Sequence, residues 1–169
     1  MTTQPAFDPA PIFAALGRHG VDFVLIGGLA AQVHGVALTT LDADIVIACT
    51  EANYEALARA LTELGAEFDT FHQPPIRPDM VRLRSATGAL LFRTRHGRLD
   101  VLKEAGGETY ETLRRNATRV GDEGVLCASL EAIARMKRAA NRPKDRLVLP
   151  RIETVLGARQ HAGAPDEEK

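Results

Sequence analysis

The sequence predicts an α/β (α+β) protein, a small mixed β-sheet with flanking helices and a C-terminal helical segment. Three observations carry this. Short apolar runs such as Phe23-Val24-Leu25-Ile26 are bounded by glycine and have the length of buried strands. Longer stretches, Glu51 to Leu64 and Ser129 to Asn141, place apolar residues three or four apart, as one face of a helix requires. The two kinds of segment alternate without internal repeat or low-complexity sequence. The 169 residues suit one domain overall. Within it, residues 1–126 read as a core, 127–161 as C-terminal helices packed on it, and 162–169 as a tail.

In chain order, Asp8 to Gly17 reads as a helix, with Asp8 as its N-cap and a glycine stop. Strand Phe23–Ile26 meets Gly27-Gly28, and Leu29 to His34 forms a short helix closed by Gly35. Ala43 to Ala48 is β-branched and apolar, a second strand. Helix Glu51–Leu64 ends at Gly65, and Ala66 to Phe71 is a further strand candidate. The Pro-rich His72 to Asp79 is a loop. Three alternating strands follow, Met80–Ser85, Leu90–Arg95 and Arg98–Leu102, joined by two-residue turns at Thr87-Gly88 and His96-Gly97. Thr109–Asn116 is a helix and Val125–Cys127 a strand. Ser129 caps a helix through Asn141, and Pro143 opens a last one to about Gln160.

Composition excludes several classes. Apolar residues make up 45% and charged residues 25%, the balance of a soluble globular protein. A net charge of −1 argues against a generic polyanion binder, so a nucleic-acid partner would need a local basic face. Cys49 and Cys127 stand alone in apolar runs, without zinc-ligand or disulfide-framework spacing. No apolar stretch approaches ~18 residues, and the N-terminus lacks a basic region followed by an apolar one. A cytoplasmic location with no membrane partner is the expectation. Met1 to Pro9 and about Ala162 to Lys169 have the composition of frayed tails.

Candidate chemistry centres on carboxylates. Asp42 and Asp44 are two apart on a strand and share one face, with Ala43, Ile45 and Ile47 on the other. Gly27-Gly28 can bring backbone N–H groups close to phosphates. Two carboxylates beside a phosphate-sized turn suit a hard cation such as Mg²⁺. Asp100, flanked by Leu99 and Val101, is a third acid in need of a partner or ion. A two-residue turn at His96-Gly97 pairs Arg95 with Arg98 and sets Arg93 opposite Asp100, and Arg82 and Arg84 join that face. Leu83, Leu90, Phe92, Thr94, Leu99 and Val101 then point to the core. Taken singly, each motif has a structural reading: an exposed acid, a turn, a solvated sheet face.

Together these residues resemble the polymerase β-like nucleotidyltransferases, whose signature is a glycine pair, a spacer, Asp-x-Asp and a later acid. Here thirteen residues separate Gly27-Gly28 from Asp42-Ala43-Asp44, and Asp100 follows. The segments Ile26 to Gly35, Thr40 to Ile45, Ser129 to Ile133 and Met136 to Asp145 look like a branch related to the AbiEii and MenT toxin nucleotidyltransferases. The resemblance extends from about residue 11 to 157. It implies that Asp42, Asp44 and Asp100 hold Mg²⁺ (or Mn²⁺), with Asp100 also helping to activate the acceptor hydroxyl. It further implies that Gly27, Gly28, Thr40, Arg93, Lys137, Lys144 and Asp145 serve a nucleoside triphosphate such as ATP. Lys137 or Lys144 would meet the triphosphate and Asp145 would orient it. Relatives often carry Arg shortly before the first aspartate where this chain has Leu38, so Arg93 or Arg95 is the expected substitute. Implied partners are the triphosphate, an RNA (tRNA) or protein acceptor, a small molecule such as an aminoglycoside, and a cognate antitoxin. The alternative is a catalytically silent nucleotide-binding or antitoxin-type protein of the same fold. A Rossmann dinucleotide site is disfavoured, because a third glycine and a suitably spaced ribose-binding acid are missing.

Overall fold

The computed structural model describes residues 6–162; Met1 to Pro5 and the predicted tail after Ala162 lie outside the described residues. Helix α1 (Pro9–Arg18) starts at the Asp8 N-cap, whose side chain accepts from the Ala10 N–H. Strand β1 (Phe23–Ile26) is buried along its whole length and leads into α2 (Gly27–Val33). β2 (Asp42–Ile47) is followed by α3 (Glu51–Glu63), capped by Thr50. Then come β3 (Glu67–Phe68), α4 (Met80–Ser85), β4 (Leu90–Thr94) and β5 (Gly97–Leu102). The small hairpin β6 (Glu104–Ala105) and β7 (Glu108–Thr109) precedes α5 (Tyr110–Arg114). β8 (Thr118–Val120), β9 (Val125–Cys127), α6 (Leu130–Ala140) and α7 (Pro143–Ala162) complete the chain.

Seven strands form one mixed sheet in the order β3-β4-β5-β2-β1-β9-β8. β1 runs antiparallel to β2, and β2 parallel to β5. The pleat then sorts the residues of neighbouring strands onto two faces. Ala43, Ile45, Phe92, Leu99 and Val101 are buried together on the core side, with Leu57 and Leu61 of α3 among the same core. Asp42, Asp44, Arg98 and Asp100 share the opposite side. Helix α6 packs against α2 and α7 against α6, so the C-terminal pair stands over the end of the sheet that carries the acids.

Four sequence expectations change. Met80–Ser85 is a helix, because Asp79 caps it, accepting from the Arg82 N–H at 2.8 Å, and only Leu83 needs burial. A cap plus one apolar anchor satisfies one helical turn better than a strand with no partner edge. The Thr87-Gly88 hairpin therefore does not form, and the strand expected over Ala66–Phe71 shrinks to β3. The last hairpin turns at Arg95-His96, with Thr94 opposite Gly97, Arg93 opposite Arg98 and Leu91 opposite Asp100. Thr94 ties this turn: its Oγ1 donates to the Gly97 carbonyl at 2.8 Å and accepts from the His96 N–H at 3.0 Å. The shift moves each partner by two, so face assignments survive, and all six residues expected in the core are buried.

Candidate active site

The parallel pairing of β2 with β5 sets Asp44 directly beside Asp100 and Asp42 beside Arg98. All four side chains line one cavity of about 900 Å³, walled on one side by Gly27, Gly28 and Thr40 and on another by α6 and α7. Gly27 has φ +72°, and a Cβ there would overlap the Asp44 carboxylate. Glycine is required here by both backbone and space. At Gly28 a Cβ would come within 3.0 Å of Thr40 Oγ1. The Thr40 hydroxyl donates to Asp42 Oδ1 at 2.6 Å, which orients that acid toward the cavity.

Two of the acids, Asp44 and Asp100, are held above the ordinary carboxylate range. Burial, followed by the charges of Asp42 and Asp100, outweighs Lys144 and Lys137 and pushes the Asp44 carboxyl up to about 7. Burial and Asp42 likewise raise the Asp100 carboxyl, against the pull of Arg98 and Lys144. Asp100 Oδ1 is buried without a hydrogen-bond partner among the described residues. Charges crowded in this way call for a counter-cation.

Positive groups stand across the cavity. Asp145 is 1% exposed and joins α6 to α7, with Oδ1 3.2 Å from Lys137 Nζ and Oδ2 2.7 Å from Arg142 Nε. The Arg142 backbone N–H also donates to Oδ2, at 3.2 Å. Burial works against ionisation of Asp145, yet the hydrogen bonds from Arg142 and Lys137 win and hold its carboxyl below the usual range. The left-handed cap at Asn141 (φ 47°) turns the chain so that Lys137, Arg142 and Lys144 all reach the cavity wall. Among the described residues Lys144 has no ion-pair partner.

Of the residues picked out from sequence, Gly27, Gly28, Thr40, Asp42, Asp44, Asp100, Lys137 and Lys144 all line this cavity, and Asp145 lies behind Lys137. Arg93 does not line it. It pairs with Asp69 at 3.2 Å and donates to the Thr70 carbonyl at 3.4 Å. Arg95 donates to the Glu63 carbonyl, Arg82 pairs with Asp79, and Arg84 with Glu51, so none of these fills the place left by Leu38. Of the arginines that the sequence sets on the Asp100 face, Arg98 lines the cavity, and Arg142 and Glu104, to which the sequence reading gives no role, line it as well. Arg98 was signalled by its position two before Asp100, on the same strand face.

The donor set at the acid end is carboxylate oxygen alone, the chemistry of a hard divalent ion. Among the described residues no three acidic, histidine or cysteine side chains close around one point. The arrangement therefore suits an ion that completes its coordination with substrate oxygens, rather than one caged by protein.

No family model matches the chain, and no curated protein matches it in sequence. Solved structures do. The crystal structure of ANT(2″)-Ia in complex with adenylyl-2″-tobramycin aligns over 89% of this chain and 88% of its own, with TM-score 0.57 and 17% identity. The chain has a nucleotidyltransferase-like fold. The solution structure of the same antibiotic-resistance factor aligns over 90% and 89%, with TM-score 0.50 and 17% identity. At this identity the likeness is one of fold, and the nucleotidyltransferase-like core holds the acid-lined cavity described above.

Proposed function

We propose that this protein is a nucleotidyltransferase that moves a nucleoside monophosphate from a nucleoside triphosphate to a hydroxyl acceptor. The observation that carries the reading is the meeting of Asp42, Asp44 and Asp100 in one cavity, faced by Lys137, Arg142 and Lys144. Acids on one side and cations on the other match a triphosphate with its counter-ion.

Asp42, Asp44 and Asp100 would hold Mg²⁺ (or Mn²⁺), which supplies charge neutralisation and polarisation of the phosphate oxygens. The chain's own residues do the rest. Lys144 and Lys137 meet the triphosphate tail, with Asp145 fixing Lys137 and Arg142. Thr40 fixes Asp42. The free Oδ1 of Asp100 accepts the proton of the attacking hydroxyl. Its oxygen then bonds to the α-phosphorus as the bond to the β-phosphate breaks, and pyrophosphate leaves toward the cations.

For the acceptor, the motif resemblance to the AbiEii and MenT branch favours an RNA end such as tRNA, and with it a toxin role paired with an antitoxin. ANT(2″)-Ia, with its adenylyl-tobramycin complex, raises a small polyhydroxylated acceptor as the second possibility. The test is incubation with each labelled triphosphate, Mg²⁺, and total RNA, lysate or an aminoglycoside panel, comparing wild type with Asp42→Asn and Asp44→Asn. Label transfer by wild type alone is expected, with at least ~100-fold loss in either folded variant. Triphosphate binding with no pyrophosphate release from any acceptor would instead identify a silent binding protein.

A further inference from the structure

Among the described residues, two buried side-chain polar atoms lack a hydrogen-bond partner, Asp100 Oδ1 and Arg98 Nε. They lie two residues apart on the same face of β5, and both residues line the cavity. Although opposite in charge, the two do not satisfy one another. An unmet buried donor on a guanidinium is costly, so its retention calls for an acceptor that arrives from outside the chain.

The Arg98 guanidinium is not loose. Its NH2 group lies 3.2 Å from Asp69 Oδ2, and Asp69 is itself fixed by a 2.8 Å bond from its N–H to the Leu91 carbonyl. Because the guanidinium is planar, anchoring one end sets the direction of the Nε–H.

We propose that Arg98 is a phosphate-binding residue, its Nε–H meeting a non-bridging oxygen of the transferred α-phosphoryl group from the Asp100 side, with Asp69 as the positioning residue that aims it. This rests on the nucleotidyl-transfer reading. It also explains the pair of unmet atoms: the donor faces the phosphoryl oxygen and the acceptor faces the attacking hydroxyl beside it. The role expected of an arginine near Leu38, or of Arg93, falls to Arg98.

The test is calorimetric titration of the four ribonucleoside triphosphates and of inorganic pyrophosphate, each with Mg²⁺, into wild type, Arg98→Gln, Arg98→Lys and Lys144→Gln, with a thermal melt of each protein. Arg98→Gln should weaken triphosphate binding about tenfold to hundredfold, the value of a charge-assisted bond. Its affinity for pyrophosphate, which lacks the α-phosphoryl group, should stay within roughly twofold. Lys144→Gln should weaken both. Arg98→Lys keeps the charge beside Asp69 without the planar fork; it should repeat the triphosphate loss, and it carries the test if the glutamine variant does not fold. Equal triphosphate affinity in wild type and the Arg98 variants overturns the assignment, as does an equal loss of pyrophosphate. If wild type binds no triphosphate at all, the nucleotidyl-transfer reading falls first and the role of Arg98 with it.

Discussion

At the scale of single residues, the site is held by groups whose surroundings leave them few alternatives. Gly27 combines a positive φ with direct contact to the Asp44 carboxylate. Gly27→Ala should cost about 1–2 kcal/mol from the backbone alone, and more as Asp44 is displaced. Chemical denaturation together with triphosphate binding would show this, and an unaltered variant would remove the constraint. Asp44 makes a pH prediction. Its carboxyl is raised to about 7 in the fold, whereas in an unfolded chain it would titrate near ~4. A raised carboxyl contributes stability that is complete below the unfolded value and lost as pH climbs through the folded one. Metal-free wild type should therefore lose ground to Asp44→Asn as pH rises from about 4 to about 7. Melting curves across that range test it, and a difference that does not change with pH would refute the shift.

At the scale of elements, the α6–α7 corner depends on one buried acid. α7 contributes little else to the core, with only Asp145 and Ile152 buried and Pro150 interrupting its hydrogen bonding. Asp145→Asn removes a charge that gathers Lys137 and Arg142. It should cost about 2–3 kcal/mol, lowering the melting midpoint by roughly 4–12 °C. It should also weaken triphosphate binding, because both cations lose their anchor. Loss of stability with full binding would mean the corner is only scaffolding. The same scale shows where sequence patterning misled. Met80 to Ser85 alternates like a strand, but Asp79 offers a cap and only Leu83 needs burial, so local capping outweighed the two-residue period.

At the scale of the whole molecule, the cavity lies between the acid-bearing face of the inner strands β2 and β5 and the C-terminal helices, so a ligand there binds only the folded chain. A triphosphate at a hundred times its dissociation constant should add about 2.7 kcal/mol of stability. That corresponds to a rise of roughly 5–11 °C in melting midpoint. Thermal shift with Mg²⁺ and each triphosphate, against Mg²⁺ with NAD, would measure it. A shift with NAD alone would point to another site. The charges follow the same division. The described residues after Ala128 carry Arg135, Lys137, Arg138, Arg142, Lys144, Arg146, Arg151 and Arg159 against Glu131, Asp145 and Glu153, although the entire chain has net charge −1. Of these, Lys137, Arg142 and Lys144 line the cavity across from the acids.

Periodicity and glycine placement determined the sheet's inner strands, the principal helices and the common face of Asp42 and Asp44. These depend on local geometry, in which a strand alternates and a helix repeats every three or four residues. The glycine pair, the Asp-x-Asp and the later acid were legible for the same reason, as short motifs with chemical meaning. Which strands lie side by side was decided only by tertiary structure. The parallel β2–β5 pairing that joins Asp44 to Asp100, a hairpin turn two places from its expected register, and the diversion of Arg93 to Asp69 all depend on contacts between residues far apart in sequence. Such contacts are selected by the packing of the whole core and by competing ion pairs, neither of which a local pattern records.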